Sequence, residues 1–207
     1  MGRLKSLDGP NRPEDGKTPL SDLSGLIVDV HTRDELNARE FVNISKVHAK
    51  YLLRRPSEKK APFTYPWFLK IHREMYEDVW AWAGEIRKSN KNIGVDKSQI
   101  RETLKALEKD YHAWIQSKMA PDEVAVRLHH RLVWIHPFEN GNGRWARLIT
   151  NIYLRQNDLP LILWPEKEFL EQGNVRKQYL DALRKADEHN LVPLTALQKT
   201  LQDVKSK

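Results

Sequence analysis

The sequence contains no cysteine, so its 207 residues can form neither a disulfide framework nor a cysteine-ligated metal site. No apolar run is long enough to span a bilayer, and the first residues are polar rather than an apolar leader. The chain also lacks internal repeats, the Gly-x-x-x-x-Gly-Lys-Ser/Thr loop of many NTPases and the His-Glu-x-x-His spacing of zinc enzymes. These absences argue against a disulfide scaffold, a membrane span and a zinc site of that type, and they predict a cytoplasmic protein.

The formal net charge is +7, with 35 Lys and Arg residues against 28 Asp and Glu residues. An excess of this sign is compatible with nucleic acid or with an acidic protein partner. The basic residues, however, are spread along the chain in the company of acidic residues. We therefore expect a solvated basic surface, without a nucleic-acid or membrane partner.

Two regions of different character are expected. Residues 1–24 carry glycine, proline and charge without a sustained period, which predicts a flexible N-terminal arm. In residues 25–207 apolar residues recur at helical spacing, so we predict one all-α domain, a helical bundle. The first four predicted helices start at capping residues or prolines. The extents of all the predicted helices are 35–51, 66–82, 100–114, 121–135, 145–157, 175–186 and 194–204.

One short segment departs from the helical pattern. Ile86 to Val95 has β-prone ends around Ser89-Asn90-Lys91-Asn92, a composition that predicts a small β-hairpin. An ordinary exposed turn is the alternative that these residues leave open.

The most informative stretch is His136-Pro137-Phe138-Glu139-Asn140-Gly141-Asn142-Gly143-Arg144-Trp145-Ala146-Arg147. Gly141 and Gly143 allow positive φ angles, so backbone N–H groups can turn inward around an anion. The following residues predict a helix, whose N-terminus favours phosphate. Arg144 and Arg147 are three residues apart and can both reach phosphate oxygens from its first turn. The stretch therefore predicts a phosphate site.

His136 adds a proton acceptor to this predicted site. Imidazole titrates near neutral pH and can take a proton from a hydroxyl while the loop holds the phosphate. Phe138 is the residue that would bury itself and anchor the loop. Read singly, the histidine is more often a packing residue and Gly-Asn-Gly a simple turn. It is their combination with two arginines at these offsets that indicates an anion site.

These residues resemble the signature of the Fic (Fido) domain family, His-Pro-Phe-x-Asp/Glu-Gly-Asn-Gly-Arg-x-x-Arg, at every specified position except Asn140. Trp82-Ala83-Gly84-Glu85-Ile86-Arg87 and Ile93-Gly94 are similar to the family segment that leads into its substrate-docking hairpin. The resemblance covers a core region of residues 66–157. Thr18-Pro19-Leu20 and Glu35-Leu36-Asn37 resemble the subfamily called mobile mystery protein B.

The resemblance implies a Fic helical bundle with a β-hairpin flap beside the active site. It also implies an enzyme that transfers AMP from ATP to a Ser, Thr or Tyr hydroxyl of a target protein. His136 would be the catalytic base, and the nucleotide phosphates would be bound by a set of loop and helix residues. That set is Phe138, Gly141, Asn142, Gly143, Arg144 and Arg147. The flap that would dock the target comprises Ser89, Asn90, Lys91, Asn92, Ile93 and Gly94.

Asn140 stands where the family has an acidic residue that helps to hold Mg²⁺. Mg²⁺ prefers anionic oxygen ligands, and the asparagine offers only a neutral carbonyl oxygen. We therefore expect weaker metal binding at Asn140, with the nucleotide phosphates supplying more of the coordination. Glu139 would replace the missing carboxylate only if the loop shifted by one residue.

Many Fic proteins are inhibited by a helix with the pattern Ser/Thr-x-x-x-Glu-Gly/Asn, whose glutamate pairs with the second motif arginine. Here only Ser98 and Glu102 have that interval, and Thr103 follows them. The strict pattern is therefore absent. This leaves two alternatives: an unregulated enzyme, or a toxin that is inhibited by a separate antitoxin protein. Transfer of phosphate or of another nucleotide, and a nucleotide-binding module with weak catalysis, are the alternative functions.

Overall fold

The computed structural model describes residue 23, residues 25–170 and residues 173–203. Within these residues the chain forms eight helices, so the all-α prediction is confirmed. The helices are α1 Arg33–Leu52, α2 Tyr65–Tyr76, α3 Ile100–Gln116, α4 Pro121–Ile135, α5 Asn142–Gln156, α6 Glu166–Leu170, α7 Asn174–Asp187 and α8 Val192–Asp203. The predicted arm and Thr18-Pro19-Leu20 lie outside the described residues apart from Leu23, and the division at residue 24 stays a prediction.

Helix starts follow the signals in the sequence. The Thr32 side chain accepts a hydrogen bond from Glu35 N at 3.2 Å and caps α1. Pro66 and Pro121 lie in the first turns of α2 and α4, where a missing N–H group leaves no lost hydrogen bond. The short helix α6 was not predicted, because five residues are too few to show a period.

Helix α5 is the centre of the fold, since it is buried on nearly all sides. It packs against α1, α2 and α4, while α3 covers the outer side of α2 and α4. Helices α6, α7 and α8 form a second apolar cluster around Phe169 and Tyr179 that also contacts α4. Residues 136–141 connect α4 to α5, and the buried Phe138 of this connection belongs to the larger apolar cluster.

The predicted continuation of α2 to Trp82 is wrong. Helix α2 ends at Tyr76, and residues 77–84 form turns. The backbone there pairs with the segment before α1 instead: Ile27 N donates to Val79 O at 3.0 Å and Ala81 N donates to Gly25 O at 2.8 Å. Tertiary pairing thus overrides the apolar spacing that suggested another helical turn.

The predicted hairpin at residues 86–95 is not formed. The described residues there contain no strand; the only β-type contact assigned in the described chain is an isolated bridge between Leu26 and Trp80. The guanidinium group of Arg87 donates to the carbonyl groups of Ser89 and Val95, which a hairpin ladder would need for its own hydrogen bonds. The segment is therefore an irregular loop, and we use the name flap for its residues 89–94.

Candidate active site

Helix α4 ends by placing His136 in a left-handed conformation. The backbone of His136 has φ 50° and ψ 58°, and its N–H group closes the last turn on Leu132 O at 3.3 Å. A non-glycine residue with positive φ is uncommon and is often found at functional sites. The side chain is 6% exposed, and within the described residues neither ring nitrogen has a hydrogen-bond partner.

The surroundings keep the His136 imidazole neutral. Burial is the main cause that lowers its pKa, and the positive charges of Arg87 and Lys91 lower it further, to about 4. A histidine with this pKa is neutral at pH 7, so one of its ring nitrogens has a free lone pair. His136 is therefore a buried proton acceptor, and no group in the described part of the chain donates a hydrogen bond to its free lone pair.

Arg87 connects the flap to the backbone of His136. Its Nε atom donates to His136 O at 2.8 Å, and Nη1 donates to Ser89 O at 2.7 Å. Its backbone N–H group also donates to Pro137 O at 2.9 Å. Arg87 thus fixes the position of His136 from the main-chain side, a role that the sequence analysis did not assign to it.

The flap lies directly against His136. A methyl group added at Gly94, where φ is 93°, would lie 2.6 Å from His136 Cβ, so this position has room for glycine only. Lys91 forms an ion pair with Glu139 and joins the flap to the residues after His136. Asn90 braces the base of the flap, with Nδ2 donating to Asp96 Oδ2 at 2.7 Å. Ile93 is 36% exposed and is the apolar side chain that the flap presents to solvent.

The N-terminus of α5 begins at Gly141, which has φ 77°. In the first helical turn the N–H groups of residues 142–144 have no intrahelical carbonyl partner. Gly143 lies within this turn, and a methyl group there would lie 3.1 Å from Arg147 Nη1; of the two glycines only Gly141 takes a positive φ angle. The first turn of α5 therefore leaves backbone N–H groups without a partner inside the helix, and the binding of phosphate there stays a prediction.

Asn142 uses its side chain to hold the loop rather than to face a ligand. Its Nδ2 atom donates to Phe138 O, and Phe138 N donates to its Oδ1 atom, both at 2.9 Å. The fully buried Phe138 ring stacks on His72 with a centroid separation of 3.6 Å. Phe138 is thus the anchor that the sequence suggests, and the Asn142 backbone N–H is the part left for phosphate.

His72, on α2, holds the loop of residues 136–141 through a hydrogen bond to its backbone. Gly84 N donates to its Nδ1 atom at 3.0 Å, so the ring proton resides on Nε2, which donates to Asn140 O at 3.0 Å. Burial lowers the pKa of His72 to about 3, which keeps this tautomer neutral. His72 therefore ties the Trp82-Ala83-Gly84 turn to the loop before α5.

The residues at the predicted metal position do not fit a protein-held Mg²⁺ ion. The Asn140 Oδ1 atom is neutral and already accepts from Gly141 N at 2.7 Å, and Glu139 is paired with Lys91. Across the described chain no group of three His, Asp or Glu side chains could hold a metal. The contribution of Asn140 to metal binding therefore stays a prediction.

Arg144 is held by a buried carboxylate on α1. Its Nη1 atom donates to Glu40 Oε2 at 2.6 Å, and the Glu40 side chain is only 3% exposed. Glu40 Oε1 also accepts from Trp80 Nε1 at 2.7 Å. The guanidinium group lies over the Tyr76 ring at 5.2 Å. Arg144 is therefore fixed beside the start of α5 by α1 and α2 together.

Arg147 is held by a carboxylate from α6. Its Nε and Nη2 atoms donate to the two oxygens of Glu166 at 2.7 and 2.5 Å, a bidentate pair. The Arg147 side chain is 8% exposed, whereas that of Glu166 is 50% exposed. A phosphate that binds Arg147 must therefore compete with Glu166, which is the more exposed member of the pair.

Two of the residues that the sequence did not reveal, Glu40 and His72, share one signal, which is a polar side chain in an otherwise apolar helical stripe. Glu40 lies in phase with Leu36 and Val47 on the buried side of α1. His72 lies in phase with Phe68 and Ile71 on α2 in the same way. Buried polar groups need partners, so such positions point to a polar site inside the fold.

The comparisons with known proteins agree with this fold and loop. Residues 62–154 match the Fic/DOC family. A protein adenylyltransferase Fic from Aedes aegypti is 30% identical over 173 residues, which is 81% of this chain and 33% of that protein. The chain thus spans about a third of the length of the curated relatives it matches.

Two solved structures share the fold. The N-terminal Fic domain of a Bartonella quintana effector protein superposes with a TM-score of 0.63 at 20% identity, covering 83% of this chain and 84% of that one. BepC from Bartonella tribocorum, with bound AMPPNP, superposes with a TM-score of 0.65 at 18% identity, covering 91% and 94%. The helical fold and the loop at 136–147 define a Fic-type domain. Residues 62–154 match the Fic/DOC family, so the resemblance recognised in the sequence is confirmed for this region.

Proposed function

We propose that this protein transfers AMP from ATP to a hydroxyl side chain of a target protein. The observation that carries the proposal is the buried, neutral His136, whose ring nitrogens are unpartnered in the described structure, at the entrance to an anion-binding helix N-terminus. The similarity to proteins named adenylyltransferase Fic supports the reaction class. The AMPPNP in the Bartonella tribocorum protein supports an ATP-like nucleotide.

The reaction balances with one base and one group of donors. A neutral nitrogen of His136 takes the proton of the target Ser, Thr or Tyr hydroxyl. The hydroxyl oxygen forms a bond to the α-phosphorus, and the bond from that phosphorus to the bridging oxygen of the β-phosphate breaks. Pyrophosphate leaves with the electron pair, and His136 retains the proton until solvent removes it. Positioning and charge stabilisation supply most of the acceleration in such transfers.

The residues around His136 divide the remaining work. Arg144 and Arg147 would neutralise the leaving pyrophosphate, and backbone N–H groups of residues 142–144 would bind its oxygens. The flap, residues 89–94, would receive an extended target segment and bring its hydroxyl to His136. Gly94 supports this role because it contacts His136 directly. These assignments rest on the geometry of the described residues.

Mg²⁺ would arrive with the nucleotide, because phosphate oxygens are the anionic ligands available here. The cytoplasm is the compartment we propose, since ATP is abundant there and the chain has no cysteine to oxidise. No helix among the described residues is long and apolar enough to cross a membrane.

Labelled ATP tests the proposed reaction. The purified protein is incubated with cell lysate and with ATP carrying the label on the α-phosphate or, in a parallel tube, on the γ-phosphate. We expect protein labelling only from the α position, because pyrophosphate is the leaving group. Labelling only from the γ position would establish phosphate transfer instead. Absence of labelling with every nucleotide tested would favour a binding module without catalysis.

Inhibition is the second part of the proposal. The ion pair between Arg147 and Glu166 occupies the second motif arginine from within the chain. The sequence lacks the strict inhibitory pattern, so a separate antitoxin protein remains the proposed partner for full inhibition, with Glu166 as an internal competitor of phosphate. A toxin role follows only if the free protein modifies an essential target.

Replacing Glu166 with glutamine is expected to tighten ATP binding. The substitution keeps the size of the side chain and removes the charge that competes for Arg147. Because Glu166 is half exposed, we expect a decrease in Kd of about 3- to 10-fold. Calorimetric titration of ATP measures it. Glu168→Gln, on the same helix with an exposed side chain, is the matched control and should leave Kd unchanged. An unchanged Kd in Glu166→Gln would remove Glu166 as a competitor.

A further inference from the structure

Tyr76 carries a hydroxyl group for which the fold provides no partner. The residue is 1% exposed, and among the described residues its Oη atom has no hydrogen-bond partner. Burying an unsatisfied hydroxyl is unfavourable, so such a group in a folded chain needs an explanation. A phenylalanine would fill the same space without this penalty. The position of the hydroxyl therefore indicates a ligand that the protein alone does not supply.

The hydroxyl lies beside the first turn of α5. A methyl group added at Gly141 would lie 2.5 Å from Tyr76 Oη, so the hydroxyl is next to the residue that opens this helix. The Arg144 guanidinium group lies 5.2 Å from the centroid of the Tyr76 ring. Glu40, Glu166 and Arg147 are all close enough to influence the charge state of Tyr76. The hydroxyl thus lies beside the start of α5, on a ring that the Arg144 guanidinium group covers.

We propose that Tyr76 Oη donates a hydrogen bond to the pyrophosphate part of the bound nucleotide, which makes Tyr76 a phosphate-binding residue in addition to the loop and the two arginines. This inference rests on the proposed function, since it names one more donor of the same site. Both observations point to an anion: the helix N-terminus attracts negative charge, and the buried hydroxyl lacks a partner. Burial raises the pKa of Tyr76, so the group stays protonated and remains a donor.

A hydroxyl at this place has a specific advantage over a third arginine. When phosphate draws Arg144 and Arg147 toward it, Glu40 and Glu166 lose part of their neutralising charge. A neutral donor stabilises the phosphate without adding another cation that would need its own counter-ion in the absence of ligand. Tyr76 therefore strengthens binding without adding a net charge to the empty site.

Tyr76→Phe tests the proposal because it removes only the hydroxyl. We expect the Kd for inorganic pyrophosphate and for ATP, measured by calorimetry, to rise about 10- to 100-fold, the range for a hydrogen bond to a charged group. The Kd for AMP should not change. The melting temperature of the ligand-free protein should stay equal or rise, because the unsatisfied hydroxyl is gone. Tyr153→Phe, a buried tyrosine near the other end of α5, is the control and should bind pyrophosphate like the unaltered protein.

The inference is overturned if Tyr76→Phe binds pyrophosphate like the unaltered protein, or if the unaltered protein does not bind pyrophosphate at millimolar concentration. A lowered melting temperature in Tyr76→Phe without ligand would also contradict it, since the hydroxyl would then have an internal partner. These results are independent of the labelling experiment. A protein that transfers the γ-phosphate, or that transfers nothing, can still bind pyrophosphate through Tyr76.

Discussion

Replacing His136 with alanine is expected to reduce transfer of the α-label by about 100- to 10,000-fold, the contribution of a well-placed general base. The reduction follows from the state of the imidazole. Its pKa of about 4 leaves it neutral at pH 7, and its nitrogens are not engaged by the described protein. Initial rates with saturating ATP and target measure the effect.

Two further variants make this prediction specific. His136→Asn keeps a residue that tolerates the left-handed backbone at φ 50°, so equal loss in both variants attributes the effect to the missing base. His130→Ala, on the same helix but paired with Asp187 at 2.8 Å, should retain the full rate. ATP affinity should remain within about 2-fold in all three proteins, because the phosphate donors are untouched. Transfer by His136→Ala above a tenth of the original rate would assign the proton to another group.

The helices could be predicted because their signals are local. Thr32 and Pro121 mark helix starts through capping and through a tolerated missing N–H group, and apolar spacing continues from there. The loop at residues 136–141 was equally readable, since Gly141 needs a positive φ and the helix follows at once. Each of these features depends on residues that are at most a few positions apart.

The flap could not be predicted because its conformation is set by a distant contact. Its sequence suits a hairpin, yet the Arg87 guanidinium group donates hydrogen bonds to the carbonyl groups of Ser89 and Val95. The same group also donates to His136 O. This arrangement depends on α4 ending where it does. A single side chain with five N–H donors thus replaces a strand ladder, and residue spacing carries no sign of it.

The carboxylate partners of the two motif arginines were missed for the same reason. Glu40 precedes Arg144 by 104 residues, and Glu166 follows Arg147 by 19. The inhibitory pattern Ser/Thr-x-x-x-Glu-Gly/Asn is defined by consecutive residues of one helix, so it does not reveal carboxylates from other parts of the chain. The structure shows that the chain neutralises each arginine separately, one through the buried carboxylate of Glu40 and one through the half-exposed carboxylate of Glu166. The two pairs therefore differ in how easily phosphate displaces them.

Replacing Glu40 with alanine is expected to destabilise the protein by about 3 kcal/mol, the result of leaving a largely buried guanidinium charge without its partner. Glu40 is 3% exposed, and it also accepts the indole N–H of Trp80, which would lose its acceptor. The free energy of unfolding is measured by urea titration at pH 7. A loss of this size would lower the midpoint by roughly 1 to 3 M urea, given the usual slopes.

A double variant separates lost packing from the unpaired charge. Glu40→Gln keeps an acceptor for Trp80 and should destabilise less than alanine. Glu40→Gln combined with Arg144→Gln should be more stable than Glu40→Gln alone, because no uncompensated charge remains inside. If the single and double variants are equally stable, the guanidinium group of Arg144 becomes solvated when the Glu40 carboxylate is absent. The arginine would then be free to turn toward phosphate before the nucleotide arrives, and the buried pair would not be what positions it.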